Sequence, residues 1–239
     1  VLLKMEIRQR AEFSNLVNPL LVSVRSGASV SMPGMMDTLL NLGINDEIVE
    51  GLAKLTANPR FAYDTNRRFL QLYGAIVGGK GINPFTQILK DYRQQHGLEE
   101  HADLDVGELK EIVGLFKKIH LPPENPWTQL ENAIVAVLSS WNNPRAQTYR
   151  RLNDITDSIG TAVIIQTMVF GNMGQNSGSG IAFTRNPSNG EKEFFGEYLM
   201  NAEGEDIASG RRTPEAWTNL RRNPRSFTTS FFNCRKPWR

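Results

Sequence analysis

Apolar and polar positions along the chain follow two periods. Ile48, Val49 and Leu52 share one face of a helix running from Asp46, its expected N-cap, to about Leu55. Asn58-Pro59 opens a helix over Arg60–Val77 with Phe61, Tyr63, Phe69, Leu72, Tyr73 and Ile76 on its apolar face, and Gly78-Gly79-Lys80-Gly81 closes it. Two further helices are expected over Phe85–Gln95 and Val106–Ile119. After the rigid Pro122–Pro126 linker, Leu130, Ile134, Val137, Leu138 and Trp141 mark another, which Asn143-Pro144 closes. Near the start, Leu3, Ile7 and Ala11 line one face of a helix reaching from Val1 to Asn15, broken by Pro19. The remaining apolar runs are short and strand-like: Leu20–Val24, Leu39–Leu42, Ile181–Thr184 and Phe194–Leu199. Ala162–Phe170 is almost unbroken apolar, the pattern of a strand buried on both faces.

The chain is organised around Thr161–Asp206, which reads as strand, glycine-rich loop, strand, turn, strand. Gly171, Gly174, Gly178 and Gly180 lie in the loop with Ser177 and Ser179, and Pro187-Ser188-Asn189-Gly190 is the turn. A small-residue loop between strands is either a flexible hairpin or a phosphate lid. In a lid, glycines admit backbone N–H groups to phosphate oxygens and serines add hydroxyl donors. No Gly-Lys-Ser/Thr follows, so it is not a Walker A loop, and no helix follows, so it is not a dinucleotide fingerprint.

Arg25 leaves the Leu20–Val24 strand into small residues. That placement presents a guanidinium to an anion, or caps a surface carboxylate. Pro33-Gly34 is a turn between methionines, which give a soft apolar surface or fill core space. Arg67 and Arg68 sit in mid-helix, one expected to face solvent and the other to turn toward a site. His96, His101 and His120 lie in charged loop sequence and are expected at the surface, without metal-ligand spacing to Cys234.

Composition narrows the class. Of 239 residues, 40% are hydrophobic and 22% charged, as in a soluble globular protein. The net charge of +2 is too small to argue for nucleic acid or an acidic membrane. A single cysteine excludes an internal disulfide and fits a reducing compartment, so a cytoplasmic location is expected. No apolar run reaches the roughly 20 residues of a membrane span. There is no signal-peptide pattern, and the start VLLKMEIRQR reads as mid-domain.

The stretches LLVSVRSGASVSMPGMMDTLLNLGIND, RFAYDTNRRFLQLYG, SSWNNPRAQTYRRLNDI and the long run from Thr161 through Glu215, in this order, resemble pyruvate, phosphate dikinase, specifically its N-terminal nucleotide-binding domain. The resemblance covers about Asn18–Glu215. Phosphoenolpyruvate synthases share the VRSG and QTMV elements, but resemble MPGMMDT and the FTRNP stretch less closely.

The resemblance implies an α+β, ATP-grasp-like fold with an inserted helical subdomain. Residues 1–59 would form a first nucleotide-binding segment, 60–143 the insert, 144–215 the glycine-rich sheet and 216–239 an aberrant basic tail. It implies ATP and Mg²⁺ as ligands, with phosphoryl passed to a histidine on a swivelling domain and then to pyruvate on a third. It also implies a homodimer through a C-terminal domain. Arg25 would contact the phosphates, with Arg68 as a second phosphate-side arginine and Gly34 near the nucleotide. The backbone of Gln166, Thr167, Met168 and Val169 would read the adenine edge, with Met168 packed on the base. Gly178, Ser179 and Gly180 would form the lid, Ser179 standing where the family usually has threonine. Glu197, Glu205 and Asp206 are acidic positions for ribose contact or charge balance.

The family's lysine-bearing glycine segment, its acidic metal pair and its glutamine-arginine strand end are not visible here. The metal ligands are therefore expected outside this chain, and the chain alone is expected not to catalyse the dikinase reaction. The alternative is an inactive truncated remnant, or an ATP-binding module. From Arg211 the sequence turns strongly basic without a periodic apolar face. A shifted frame of one allowed codon choice from Ser226 onward restores a helix-like pattern, so the tail is expected to be read out of frame, through a gene lesion or a sequence error, and its arginines need not mean nucleic-acid binding. The gene's nucleotide sequence tests this.

Overall fold

The computed structural model describes residues 2–99, 104–208, 210 and 213–222. The expectations for His101, Cys234 and the tail beyond Arg222 lie outside the described residues. The chain divides into two compact units, Val1–Met168 and Val169–Arg239. The expected boundaries after residues 59 and 143 both fall inside the first.

The first unit contains α1 (Leu2–Gln9), β1 (Val22–Gly27), β2 (Thr38–Leu42), α2 (Asp46–Thr56), α3 (Pro59–Ile76), α4 (Asn83–His96), α5 (Val106–Ile119), α6 (Pro126–Ser139), α7 (Pro144–Leu152) and β3 (Ala162–Thr167). β1 lies between β2 and β3, antiparallel to both. Val22 and Val24, with Leu42 and Leu39 opposite them, are fully buried. α6 packs on all three strands and α3 packs on β2, α2 and α5, so the sheet and the helices share one core. Three residues of β1, Val22–Val24, face four of β2, Leu39–Leu42, and Leu40 and Asn41 together oppose Ser23 as a β-bulge. Asn41 adopts φ 60°, a left-handed geometry that asparagine tolerates better than most residues.

Local chemistry explains the helix starts. Asn45 rather than Asp46 caps α2, its side chain accepting from the Ile48 N–H at 2.9 Å. Asp46 is instead the first helical residue and pairs with Lys117 at 2.5 Å. Asn58 caps α3, and Asp105 with Glu108 forms a capping box on α5. Asn143-Pro144 ends one stretch and starts the next: Asn143 caps the 3-10 turn Ser140–Asn142 that extends α6, its N–H donating to the Ser140 carbonyl at 3.1 Å, and Pro144 suits the first turn of α7.

Three further expectations need correction. α1 ends at Gln9, not Asn15, because Arg10 turns left-handed at φ 52° and the Asn18 side-chain amide takes the Arg10 carbonyl at 2.6 Å. Its apolar positions are not packed, Leu3 being 69% and Ile7 70% exposed. β3 is not buried on both faces. It is an edge strand that alternates between exposed and half-buried positions, and Ile164 is half exposed.

His120 is the third correction. Its ring is half-buried and stacks on Tyr73 at 5.9 Å between centroids. A Cβ on Gly78 would lie 2.7 Å from its Nδ1, so the ring occupies a notch that only glycine leaves open. Burial first, and Lys80 second, lower its pKa. A base whose folded pKa is depressed contributes stability above its unfolded value, near 6.5, and loses it as pH falls. Thermal melts between about pH 7.5 and 5.5 are therefore expected to show a falling midpoint that His120→Phe flattens. Parallel pH profiles for the two proteins would exclude His120 as the cause.

The second unit contains β4 (Gly178–Phe183), β5 (Phe195–Met200), α8 (Gly204–Ala208), β6 (Glu215–Ala216) and α9 (Trp217–Arg222). β5 is central and antiparallel to β4 and β6. Its small core joins Leu199, Ala202 and Ile207, with Ile181 packed against them. The first residues of the stretch expected as an aberrant tail are thus built into the sheet and α9. Tyr198 donates its hydroxyl to Glu215 at 2.7 Å, and Trp217 lies 5.2 Å from Phe194. Among the described residues, no helix is long and apolar enough to cross a membrane.

Candidate functional site

In the first unit, β1 presents alternating faces. Val22 and Val24 enter the core, while Arg25 remains exposed near the strand end. Ser23 pairs with Gln166 across β3, so Arg25 and Gln166 are diagonal neighbours on the opposite face. Arg25 Nη1 donates to Gln166 Oε1 at 3.4 Å, and Ser23 Oγ donates to the Gln166 carbonyl at 3.4 Å. The sheet thereby brings together two residues that are 141 positions apart. The expected base-reading segment is largely committed to this ladder. Gln166 and Thr167 pair with Ser23 and Val22, and the Met168 N–H donates to the Leu21 carbonyl at 2.9 Å. Val169 lies past the ladder and is 89% exposed.

Gly34 adopts φ 70° in the turn after Met32, where a β-carbon would have open space but a strained backbone. Asp37 ties this loop down. Its N–H donates to Ser140 Oγ at 3.1 Å, its Oδ2 accepts from Asn143 at 3.1 Å, and its Oδ1 pairs with Arg145. Arg145 Nε also donates to the Met35 carbonyl at 2.9 Å. Asp37→Ala is expected to release the loop while costing only about 1–2 kcal/mol overall, because Arg145 is half exposed. Hydrogen exchange at Gly34–Met36 should rise at least about tenfold, whereas unchanged protection there would show that the turn holds itself.

Arg68 and Arg67 correct the expectation that one faces solvent. Both fold back onto Asp64 of their own helix. Arg67 Nε and Nη2 reach Oδ1 at 2.8 and 2.7 Å, and Arg68 Nε reaches Oδ2 at 2.8 Å. Arg67 Nη1 also donates to Gln71 at 3.0 Å. The two guanidinium groups outweigh the upward push of burial and hold the Asp64 carboxyl well below the usual carboxylate range.

In the second unit, the expected lid is not a loop. Gly178, Ser179 and Gly180 belong to β4 and pair with Met200, Leu199 and Tyr198. The Ser179 hydroxyl donates to the Ala202 carbonyl at 2.8 Å. The loop proper ends at Ser177 and is stitched to the end of β5. The Ala202 N–H donates to the Gly171 carbonyl at 3.0 Å, and the Asn201 N–H to the Ser177 carbonyl at 2.7 Å. Glu197 is half-buried on β5, and Glu205 is exposed in the first turn of α8. Asp206 is buried, and its Oδ2 accepts the Glu203 N–H at 2.9 Å. The acidic positions therefore differ in access although they lie close in sequence.

Sequence reasoning missed several polar side chains. Asn172 and Glu203 are buried together, with Asn172 Nδ2 3.4 Å from Glu203 Oε1. Gln129 is 1% exposed and joins three backbone groups, Gly43 N–H and the carbonyls of Ile44 and Pro123. Asp64 had a legible signal, since it stands three and four residues before the two arginines. Gln129 had none, because its partners are distant in sequence. A shallow cavity of about 630 Å³ lies elsewhere, beside Trp141, Arg150, Arg151 and Asp157. None of the expected site residues lines it. Arg150 is spent there, lying 4.1 Å over the Trp141 ring and 2.7 Å from Asp157. Among the described residues, no group of three or more histidine, cysteine, aspartate or glutamate side chains could hold a metal ion.

The fold defines an α+β protein, with ordered arginines in the first unit and a glycine-bearing antiparallel sheet in the second. Residues 3–230 match the family described as pyruvate phosphate dikinase, AMP/ATP-binding domain, and the chain belongs to that family. The match reaches past both ends of the Asn18–Glu215 stretch in which the resemblance was visible. The chain is 52% identical over 216 residues to pyruvate, phosphate dikinase of Clostridium symbiosum, covering 87% of this chain and 25% of that protein. It is 48% identical over 231 residues to the chloroplastic pyruvate, phosphate dikinase 1 of Arabidopsis thaliana, covering 94% and 24%. With the Rickettsia prowazekii protein the identity is 51% over 206 residues, covering 84% and 23%. The chain thus spans about a quarter of the length of the curated relatives it matches.

Proposed function

We propose that this chain is the ATP-binding part of a pyruvate, phosphate dikinase, with an ATP-grasp-like fold. In this reading residues 1–59 and 144–215 supply the nucleotide-binding elements, and the helices of 60–143 form the insert. The observation that carries the reading is Arg25, an exposed guanidinium at the end of a buried strand, oriented by Gln166 across the sheet. A fixed cation of this kind offsets the charge of a transferring phosphoryl group. Arg68 is the second phosphate-side arginine and Gly34 borders the nucleotide. The junction Gln166–Val169 borders the adenine, with base contact falling to the Met168 side chain and Val169. Gly178, Ser179 and Gly180 take part as a strand floor, where glycine leaves the backbone accessible, and Glu197, Glu205 and Asp206 balance charge on the nucleotide side.

Mg²⁺ accompanies the nucleotide. The residues described here do not fit a dedicated magnesium cage, so none is assigned as its ligand. In the complete protein, the phosphoryl group passes to a histidine on a swivelling domain. A third domain uses it to form phosphoenolpyruvate from pyruvate, in a cytoplasmic homodimer held by the C-terminal domain. The experiment is MgATP binding by calorimetry with Arg25→Ala as comparison. Loss of one charged contact of this kind is expected to weaken binding about 10- to 100-fold. Equal affinity in the two proteins would remove Arg25 from the site.

A further inference from the structure

We infer that the cavity beside Trp141 is an anion site, built for a phosphate dianion either free or carried by a phosphomonoester, and that Asp157 stands in it as an internal competitor. The site begins with a buried cation. Arg150 is 2% exposed although it lies in the last turn of α7. Its guanidinium lies 4.1 Å over the Trp141 ring, Nη1 donates to the Trp141 carbonyl at 2.5 Å, and Nε donates to Asp157 Oδ1 at 2.7 Å. The first two contacts are to neutral groups. Asp157 alone supplies countercharge, and its side chain is 84% exposed on a three-residue turn. Among the described residues, Arg150 Nη2 has no partner. Arg151 also lines the cavity, is exposed, and pairs with no carboxylate among the described residues.

The balance of charge selects the ligand. Two guanidinium groups share the cavity with one carboxylate, so one cation is in excess. A monocarboxylate gains nothing over Asp157, which is tethered to the same chain and meets Arg150 at a high effective concentration. A phosphate dianion brings two charges and three acceptor oxygens, enough to take the place of Asp157 and engage both arginines at once. The end of α7 does not oppose it, because the Tyr149 and Arg150 carbonyls already accept the N–H groups of Asn153 and Ile155. A volume of about 630 Å³ leaves room for a small organic body behind the phosphate.

The site is read on this chain at the indole N–H resonance of Trp141, assigned with Trp141→Phe, while inorganic phosphate, glycerol phosphate or acetate is titrated. Phosphate is expected to shift that resonance saturably, and acetate to leave it in place. Asp157→Ala is expected to tighten phosphate about tenfold, since the competitor and its like charge are gone, and Arg151→Ala to weaken it about tenfold. Tighter binding of glycerol phosphate than of phosphate would affirm the site and assign it to a phosphomonoester, and equal or weaker binding would affirm it for the free ion. No saturable shift in Asp157→Ala at about 10 mM phosphate would overturn the inference. So would a response to acetate as large as that to phosphate, or a phosphate affinity that Arg151→Ala leaves unchanged. If Asp157→Ala does not fold, because Arg150 loses its carboxylate, Arg151→Glu decides the matter. Its reversed charge at an exposed position is expected to abolish the shift, and a shift that persists would overturn the inference.

Discussion

Asp64→Ala is expected to cost about 3–5 kcal/mol of folding stability, the range for removing one partner of a buried ion pair. The carboxylate is buried in α3 and serves two guanidinium groups, each within 2.8 Å. Alanine would leave both in a helix that packs against α2, α5 and β2. Urea unfolding at pH 7 measures the cost, and a loss below about 1 kcal/mol would mean that the arginines find other partners. Acid supplies a second arm. Burial raises the pKa of Asp64, but Arg67 and Arg68 lower it further, so the folded value lies below the unfolded one. Such a group stabilises fully above its unfolded pKa, near 3.9, and the contribution fades as pH falls below that toward the folded value. The gap between wild type and Asp64→Ala should therefore be widest near neutrality and begin to narrow below about pH 4. A gap that stays constant on acidification would contradict the pairing.

Gly171→Ala should be the most damaging small change in the second unit. A Cβ there would lie 2.2 Å from Ser179 Oγ, 2.3 Å from the Ala202 carbonyl oxygen and 2.8 Å from the Gly178 carbonyl carbon. Two of these three are backbone atoms that cannot rotate away. Ser179 is itself held by the Ala202 carbonyl. The expected cost is about 3 kcal/mol, the upper end for overpacking. It should appear as lost hydrogen-exchange protection at Ala202 and along β4, not at β1 or α3. Gly174→Ala is the control, since a Cβ there meets nothing within 4 Å. If both variants keep full protection, the close approach of Gly171 to the end of β5 is not a constraint.

Legibility in the sequence followed the range of the interactions involved. α5 appeared where expected, Val106–Ile119, because its apolar positions repeat locally and Asp105 and Glu108 cap it from three residues apart. β5 was legible to within one residue and β1 to within two or three for the same reason. Gly178–Gly180 was misread as loop because composition alone marks glycine and serine as turn formers. Pairing with Met200–Tyr198 made it strand, and that partner lies some twenty residues onward. One of Arg67 and Arg68 was expected to face solvent, as charged residues usually do, yet Arg67 is buried and Arg68 is only 18% exposed. Asp64 and Gln71 accompany Arg67 into the interior and remove the cost of burying it. His120 fell in charged sequence, yet Gly74 and Gly78, more than forty residues earlier, leave a notch beside its ring.

By itself the sequence determined the long helices α2 to α6, the approximate placing of β1, β2 and β5, and the family to which the chain belongs. All of these depend on spacings within one or two turns, or on the order of residues in long motifs. Only the tertiary structure decided the division at Met168, the edge position of β3, the strand identity of the glycine stretch and the pairing of Arg25 with Gln166. These depend on partners far apart in the chain, which become neighbours only when strands pair and helices pack, and no local period records them.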